Sequence, residues 1–164
     1  MRKRFVSGCF VAMLVAAFFG CESTRSGEKA KVEPAPMNGL YQRVGEQKLR
    51  AVVNDLVDAS AKDPKVAIEQ AGKAANWGAT PENVADFKRG LFQFVAAATG
   101  GPQIYKGKDM ATAHKGMNIT DAQFDAMMTH LKEAMDKNQV APEEQRELTQ
   151  VFNGTRSAIV QQPK

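Results

Sequence analysis

Two histidines are the side chains of this sequence best suited to chemistry at a metal. His114 and His130 are its only histidines and lie sixteen residues apart. A neutral imidazole is a good iron ligand, and haem takes one such axial ligand from its protein. Taken alone this signal is weak, because a single histidine is more often a solvated or a core residue than a ligand. His114 nevertheless has an unusual context, with Met110 before it and Gly116 and Ile119 after it.

The residue pattern gives other chemistries little support. Gly100-Gly101-Pro102 lacks the lysine and the hydroxyl residue that complete a P-loop. No serine lies in a nucleophile elbow, and no flavin or nicotinamide motif is present. A zinc site is implausible, since structural zinc takes four nitrogen or sulfur ligands. The Asp and Glu residues fall on polar faces at spacings typical of solvated surfaces.

Apolar residues that recur every three or four positions predict an all-α domain. One helix ends at Asp63, because Pro64 disfavours a helical residue before it; its apolar stripe comprises Leu49, Val52, Val53, Leu56 and Val57. The next helix begins with Thr80 as N-cap and Pro81 in its first turn, and it ends before Gly100. Its predicted apolar stripe comprises Val84, Phe87, Leu91, Phe94, Val95 and Ala98.

A short helix over residues 109–115, closed by Gly116, is predicted to place His114. Thr120 and Gln123 form a capping box for the following helix, whose apolar face comprises Phe124, Met127, Met128, Leu131 and Met135. Pro142 opens the last helix, with Leu148, Val151, Phe152, Thr155 and Ile159 predicted to face inward. We therefore expect four substantial helices and two or three short ones, with His130 exposed in the middle of its helix.

The basic character of the chain has its source in the N-terminal segment. Lys and Arg number 22 against 18 acids, and Arg2, Lys3 and Arg4 account for three of these cations, which leaves 19 against 18. The rest of the chain is nearly neutral and gives no electrostatic reason to expect a nucleic-acid partner. Those three charges and the apolar run from Phe5 to Phe19 predict a secretory signal over residues 1–20. The apolar run is shorter than the roughly 20 apolar residues that a membrane span needs.

Cys21 follows the small residue Gly20 directly after this apolar run, as in a bacterial lipoprotein. We expect its thiol to be acylated and Cys9 to be removed with the signal, so that no disulfide is possible. Incidental placement of Cys21 and ordinary cleavage are the alternative. Residues 21–39 are polar and contain two prolines, which predicts a flexible tether that holds a domain over residues 40–161 at the periplasmic face of a membrane.

Two blocks of the chain resemble the group I truncated globins. They are AAATGGPQIYKGKDM, from Ala96 to Met110, and AHKGMNIT, from Ala113 to Thr120. The family pattern has a Gly-Gly-Pro turn, a tyrosine, a methionine, the proximal histidine, a glycine, and an isoleucine before a capped helix. LYQRVG, from Leu40 to Gly45, is similar to the opening turn of that family. The resemblance covers residues 40 to about 160.

This resemblance implies a two-over-two helical sandwich around haem b, with His114 as the proximal iron ligand. It implies a proximal side or haem edge lined by Tyr105, Met110, Ile119, Phe124 and Met127. Phe94 and Val95 match an apolar pair deep in the pocket. Lys106, Lys108 and Lys115 are candidates to pair with the haem propionates, or else ordinary solvated lysines.

The distal side departs from the family pattern. Val57 stands where the family commonly has a tyrosine that donates to bound oxygen, and Phe87 and Leu91 stand where a glutamine often lies. Loss of a hydrogen bond to such a partly charged ligand is worth about 1.5–3 kcal/mol, so oxygen should leave about ten to a hundred times faster. A phenylalanine that commonly wedges against the haem has no clear counterpart, although Ile68 or Trp77 could take its place.

Three functional hypotheses follow. The first is a haem protein that binds oxygen, nitric oxide or carbon monoxide reversibly at pentacoordinate iron. Conversion of nitric oxide to nitrate would need an unknown reductase, so we prefer a ligand-binding protein to an enzyme. The second is a haem-free helical lipoprotein that acts as a structural or interaction module. The third is a small electron carrier, which would need a second axial ligand that the sequence does not offer in a suitable place.

Overall fold

The computed structural model describes residues 39–66, 68, 78 and 80–161. The signal, the acylation site at Cys21, the tether and Trp77 all lie outside these residues. The described part is built from four long and three short helices. They are α1 (Leu40–Val44), α2 (Glu46–Lys62), α3 (Pro81–Ala98), α4 (Met110–Ala113), α5 (Asp121–Lys137), α6 (Pro142–Asn153) and α7 (Arg156–Ile159). The prediction of an all-α fold is confirmed.

Side-chain caps begin two of the long helices where the sequence predicts them. The Thr80 hydroxyl accepts a hydrogen bond from the Asn83 N–H at 3.3 Å, one residue before α3. At the start of α5 the Thr120 hydroxyl accepts from the Gln123 N–H, and the Gln123 side chain accepts from the Thr120 N–H. Each cap satisfies an amide that the first turn of a helix leaves without a partner.

The core lies where α2 packs against α3 and α5, and α6 also packs against α5. α1 closes one end against α2 and α6, while α4 packs against α7. The largest fully buried side chains of the described chain are Phe124, Leu40, Leu49, Leu56, Leu131, Met135, Leu148, Val52, Val53, Val57, Val95 and Val151. Most of the residues predicted to face inward on α2 and α5 are buried, which confirms these two faces.

The inward face of α3 agrees with the predicted stripe at Phe94, Val95 and Ala98, which are buried, and differs from it elsewhere. Phe92 and Ala96 are buried at 3% and 0% exposure, whereas Phe87 is 40% exposed and Leu91 is only partly buried against the core. Phe92 is covered by the guanidinium of Arg50, which lies 3.7 Å above its ring centroid. The buried face of α3 therefore includes Phe92, on the side toward α2. The side chain of Arg50 can cover this ring, which the apolar periodicity of α3 does not predict to be buried.

The predicted last helix is divided into α6 and α7. Thr155 is the cause of the break, since its N–H and its hydroxyl both donate to the carbonyl of Phe152. This tight turn ends the regular hydrogen-bond ladder. Thr155 and Ile159 are nevertheless buried, as predicted. None of the described helices combines the length and the apolar character needed to cross a membrane.

Candidate functional site

His114 is positioned by a short capped helix. The Asp109 carboxylate accepts hydrogen bonds from the N–H and the hydroxyl of Thr112, both at 2.9 Å, and so begins α4. The helix covers Met110–Ala113, and His114 is its C-cap residue, so the helix predicted over residues 109–115 is shorter than expected. Gly116 ends the turn with a φ of 82°, a conformation that costs glycine little.

The ring of His114 is held in one tautomer. Its Nδ1 lies 2.8 Å from the carbonyl oxygen of Met110. A carbonyl oxygen can only accept, so Nδ1 must bear the proton and Nε2 keeps its lone pair. Burial lowers the pKa of His114, and the bond to Met110 only partly offsets this effect. The imidazole is therefore neutral near pH 7, with Nε2 in the form that a metal ion binds.

Apolar side chains from several elements that were predicted to line the pocket pack against the core. The core residue Phe94 and Tyr105 form an edge-to-face ring pair with centroids 5.5 Å apart. Met110 and Met127 are partly buried and pack against the same core, as do Leu91 and Met128. Six of the predicted pocket residues belong to this core or pack against it: Leu91, Phe94, Val95, Tyr105, Met110 and Met127. The partial exposure of all but Phe94 and Val95 is typical of side chains that line a pocket rather than fill a core.

The loop before α4 is organised by Tyr105. Its hydroxyl donates to the Lys108 carbonyl at 2.8 Å. Gly107 makes this closure possible, because a Cβ at that position would lie only 2.3 Å from the hydroxyl oxygen. Lys106, Lys108 and Lys115 are exposed. Within the described residues none of the three lysines forms an ion pair.

The remaining predicted site residues fall in different surroundings. Val57 on α2 and Phe124 on α5 are each 2% exposed and lie outside the main contiguous core of the described residues. Phe124 is covered by the Arg156 guanidinium at 4.4 Å from its ring centroid. Ile119 is partly buried in the loop before α5. Ile68 is partly buried too, in a stretch of which only that residue is described.

Comparison with known proteins places these features in a family. The sequence model of the bacterial-like globins matches residues 39–161. The chain belongs to the bacterial-like globin family. It is 27% identical to the group 1 truncated hemoglobin LI410 of Chlamydomonas moewusii, over 82% of this chain and 75% of that protein. It is 29% identical to the group 1 truncated hemoglobin GlbN of Nostoc sp. (strain MUN 8820), over 76% of this chain and 98% of that protein.

Solved structures support the same assignment for this globin. The truncated hemoglobin from Tetrahymena pyriformis in its Fe(III) form superposes with a TM-score of 0.63. The sequence identity is 25%, and the match covers 75% of this chain and 98% of that one. The fold of the truncated globins, predicted from the blocks around His114, is therefore confirmed.

The second histidine of this globin is not the exposed residue that we expected. The side chain of His130 is 17% exposed, with Nε2 2.8 Å from an Asp63 oxygen and Nδ1 3.1 Å from a Glu133 oxygen. The prediction was wrong because Asp63 belongs to the end of α2, and only the packing of α2 against α5 brings it to His130. With both ring nitrogens directed at carboxylates, His130 has no free lone pair for a metal.

One contact near His114 has no signal in the sequence. Gln161, which follows α7, donates from its side chain to the His114 carbonyl at 2.8 Å. Its position in a polar C-terminal stretch is indistinguishable from that of a solvated residue. The contact between Gln161 and His114 is apparent only in the tertiary structure, where α7 packs against α4.

Proposed function

We propose that this globin binds haem b with His114 as the axial ligand, and that the pentacoordinate iron binds a diatomic gas reversibly. The observation that supports this proposal most directly is the His114 ring, whose Nδ1 proton is engaged by Met110 while Nε2 stays free. A histidine held in this way presents a neutral, oriented nitrogen. The bound haem would supply the open iron position at which the gas binds.

The partly buried apolar residues among those predicted to line the pocket suit a flat aromatic group. Tyr105, Met110, Met127 and Leu91 are partly buried against the core, with Phe94 behind Tyr105. Such surfaces suit the porphyrin face, because methionine and aromatic side chains adapt to a planar ligand at little cost in packing. Lys106, Lys108 and Lys115 are exposed and form no ion pair with another described residue, and we expect them to pair with the propionates.

The described residues of the predicted distal side favour weak retention of oxygen. Val57 is buried and aliphatic, and Phe87 and Leu91 are apolar as well. Without a donor to a ligand that gains negative charge, oxygen would leave about ten to a hundred times faster than with one. We expect Val57→Tyr, which introduces a donor, to slow oxygen release by about tenfold or more. Stopped-flow release of oxygen measures this, with carbon monoxide release as a control that should change little.

The decisive experiment compares the two histidines. The full chain reconstituted with haemin should show a strong Soret band that is lost or shifted in His114→Ala. His130→Gln is the matched control and should keep the wild-type spectrum, since Asp63 and Glu133 engage that ring. A folded, helical and colourless wild-type protein would contradict haem binding and favour the haem-free interaction module. A six-coordinate spectrum without added ligand would contradict pentacoordination and favour the electron carrier.

We further propose that Cys21 is acylated and anchors the domain to a bacterial membrane, with the globin on the periplasmic side. The charged and apolar N-terminal residues and the position of Cys21 support this. Cells that express the chain should incorporate a labelled fatty acid into it, and Cys21→Ser should not be labelled. Equal labelling of both would refute the anchor. Any role in nitric oxide turnover would need a separate reductase.

A further inference from the structure

We propose that Gln161 is a positioning residue that holds the backbone of His114 in place. Gln161 forms three hydrogen bonds with the segment that follows α4. Its Nε2 donates to the His114 carbonyl at 2.8 Å, and its Oε1 accepts from the Asn118 N–H at 3.2 Å. Its own N–H donates to the Ile119 carbonyl at 2.8 Å. One residue thus ties three points of a six-residue loop to the end of α7.

This loop has little else to hold it. α4 has only four residues, too few to be stable by itself. Gly116 and Asn118 adopt φ values of 82° and 52°, in the left-handed region that glycine and asparagine tolerate better than other residues. Within the loop, the Met117 N–H also bonds to the His114 carbonyl, at 3.1 Å. The three hydrogen bonds of Gln161 join this loop to a distant part of the chain.

The link to function rests on the proposed binding of haem by His114. The direction of an axial imidazole depends on its own backbone as well as on the hydrogen bond of its second nitrogen. The Met110 carbonyl accepts from the His114 ring, and the Gln161 side chain donates to the His114 carbonyl. Partners of a metal ligand commonly affect metal affinity without touching the metal. Gln161 would act on haem retention in this way.

Two substitutions separate the hydrogen bonds. Gln161→Met keeps the length of the side chain and removes both of its polar contacts. Gln161→Glu keeps the oxygen that accepts from Asn118 but places a carboxylate against the His114 carbonyl. Gln150→Met is the matched control, because Gln150 on α6 is exposed and its side chain makes no hydrogen bond with a described residue. All variants are made in the full chain and loaded with haemin.

Haem release to excess apomyoglobin and the iron–histidine stretching band in the resonance Raman spectrum provide the two measurements. We expect Gln161→Met and Gln161→Glu to lose haem about three to ten times faster, as loss of one or two neutral hydrogen bonds implies. We also expect the band to shift or broaden in both variants, while Gln150→Met matches the wild type. The band reports on the histidine itself, and a loss of general stability would not move it.

Wild-type haem release and an unchanged band in both Gln161 variants would overturn the inference. Faster release with an unchanged band, matched by an equal loss of stability in the haem-free protein, would also overturn it. The His114→Ala protein keeps this test separate from the proposed function. If that variant loses haem and the Gln161 variants do not, only the positioning role fails. If it keeps a wild-type Soret band, the haem assignment itself fails.

Discussion

Asparagine in place of Asp63 would remove one charge from the contact between α2 and α5 and leave the rest of that corner intact. One carboxylate oxygen of Asp63 lies 2.8 Å from His130 Nε2, and the other accepts from the Lys65 N–H at 2.8 Å. The side-chain oxygen of asparagine can still accept from Lys65. Asp63→Asn therefore tests the ion pair without opening the turn that follows α2.

The size of the effect follows from burial. His130 is 17% exposed and Asp63 is 22% exposed, so water screens this pair less than a surface pair. A hydrogen bond to a charged group contributes about 1.5–3 kcal/mol when buried, and an exposed ion pair contributes about 1 kcal/mol or less. We therefore expect the coupling between Asp63 and His130 to lie toward the upper end of the range for exposed ion pairs. Glu133 is 65% exposed, and Glu133→Gln should cost less than about 0.5 kcal/mol.

The sign of the pH dependence follows from the pKa shifts. Burial by itself lowers the pKa of His130, but the hydrogen bonds and charges of Asp63 and Glu133 outweigh it and raise the pKa overall. The stabilisation is thus fully present below the pKa of the unfolded chain, about 6.5, and is lost as the pH rises through the higher folded value. The Lys65 N–H and then His130 lower the pKa of Asp63, so this carboxylate stays charged across that window.

A double-mutant cycle with Asp63→Asn and His130→Gln checks this reasoning. Urea unfolding of the haem-free full chain gives the coupling energy without linkage to a ligand. We expect the coupling to be largest near about pH 5.5 and to fall markedly by about pH 9. A coupling that is absent at the lower pH, or that grows as the pH rises, would refute the assignment of His130 as a cation between two carboxylates.

Three further substitutions test the fold, each by urea unfolding of the full chain. Gly107→Ala should cost about 1–3 kcal/mol, because its Cβ would displace the Tyr105 hydroxyl; a neutral result would contradict the close approach. Thr120→Ala should cost about 1 kcal/mol through loss of the α5 cap, and an unchanged midpoint would argue against it. Leu131→Ala should cost about 2–5 kcal/mol, since Leu131 is 1% exposed. The exposed Gln150→Ala is the control, with an expected change within about 0.5 kcal/mol.

The sequence was sufficient for features that depend on neighbouring residues. In the caps at Thr80 and Thr120, each hydroxyl accepts from the backbone N–H three residues later, so a short stretch of chain determines them. The same holds for Asp109 and for the turn at Gly116, which together place His114 at the end of α4. The block around His114 resembled the truncated globins for the same reason, and the fold followed from that resemblance.

Contacts between distant segments required the tertiary structure. Phe92 is inward because Arg50 of α2 covers it, and His130 is held between two carboxylates because α2 ends beside α5. Gln161 reaches His114 across 47 residues of chain. Hydrophobic periodicity reports which face of one helix is apolar, but it contains no information on what a neighbouring helix places opposite that face. Local hydrogen bonds and steric limits therefore set the helices and the turn at His114, whereas packing alone decided which polar side chains meet.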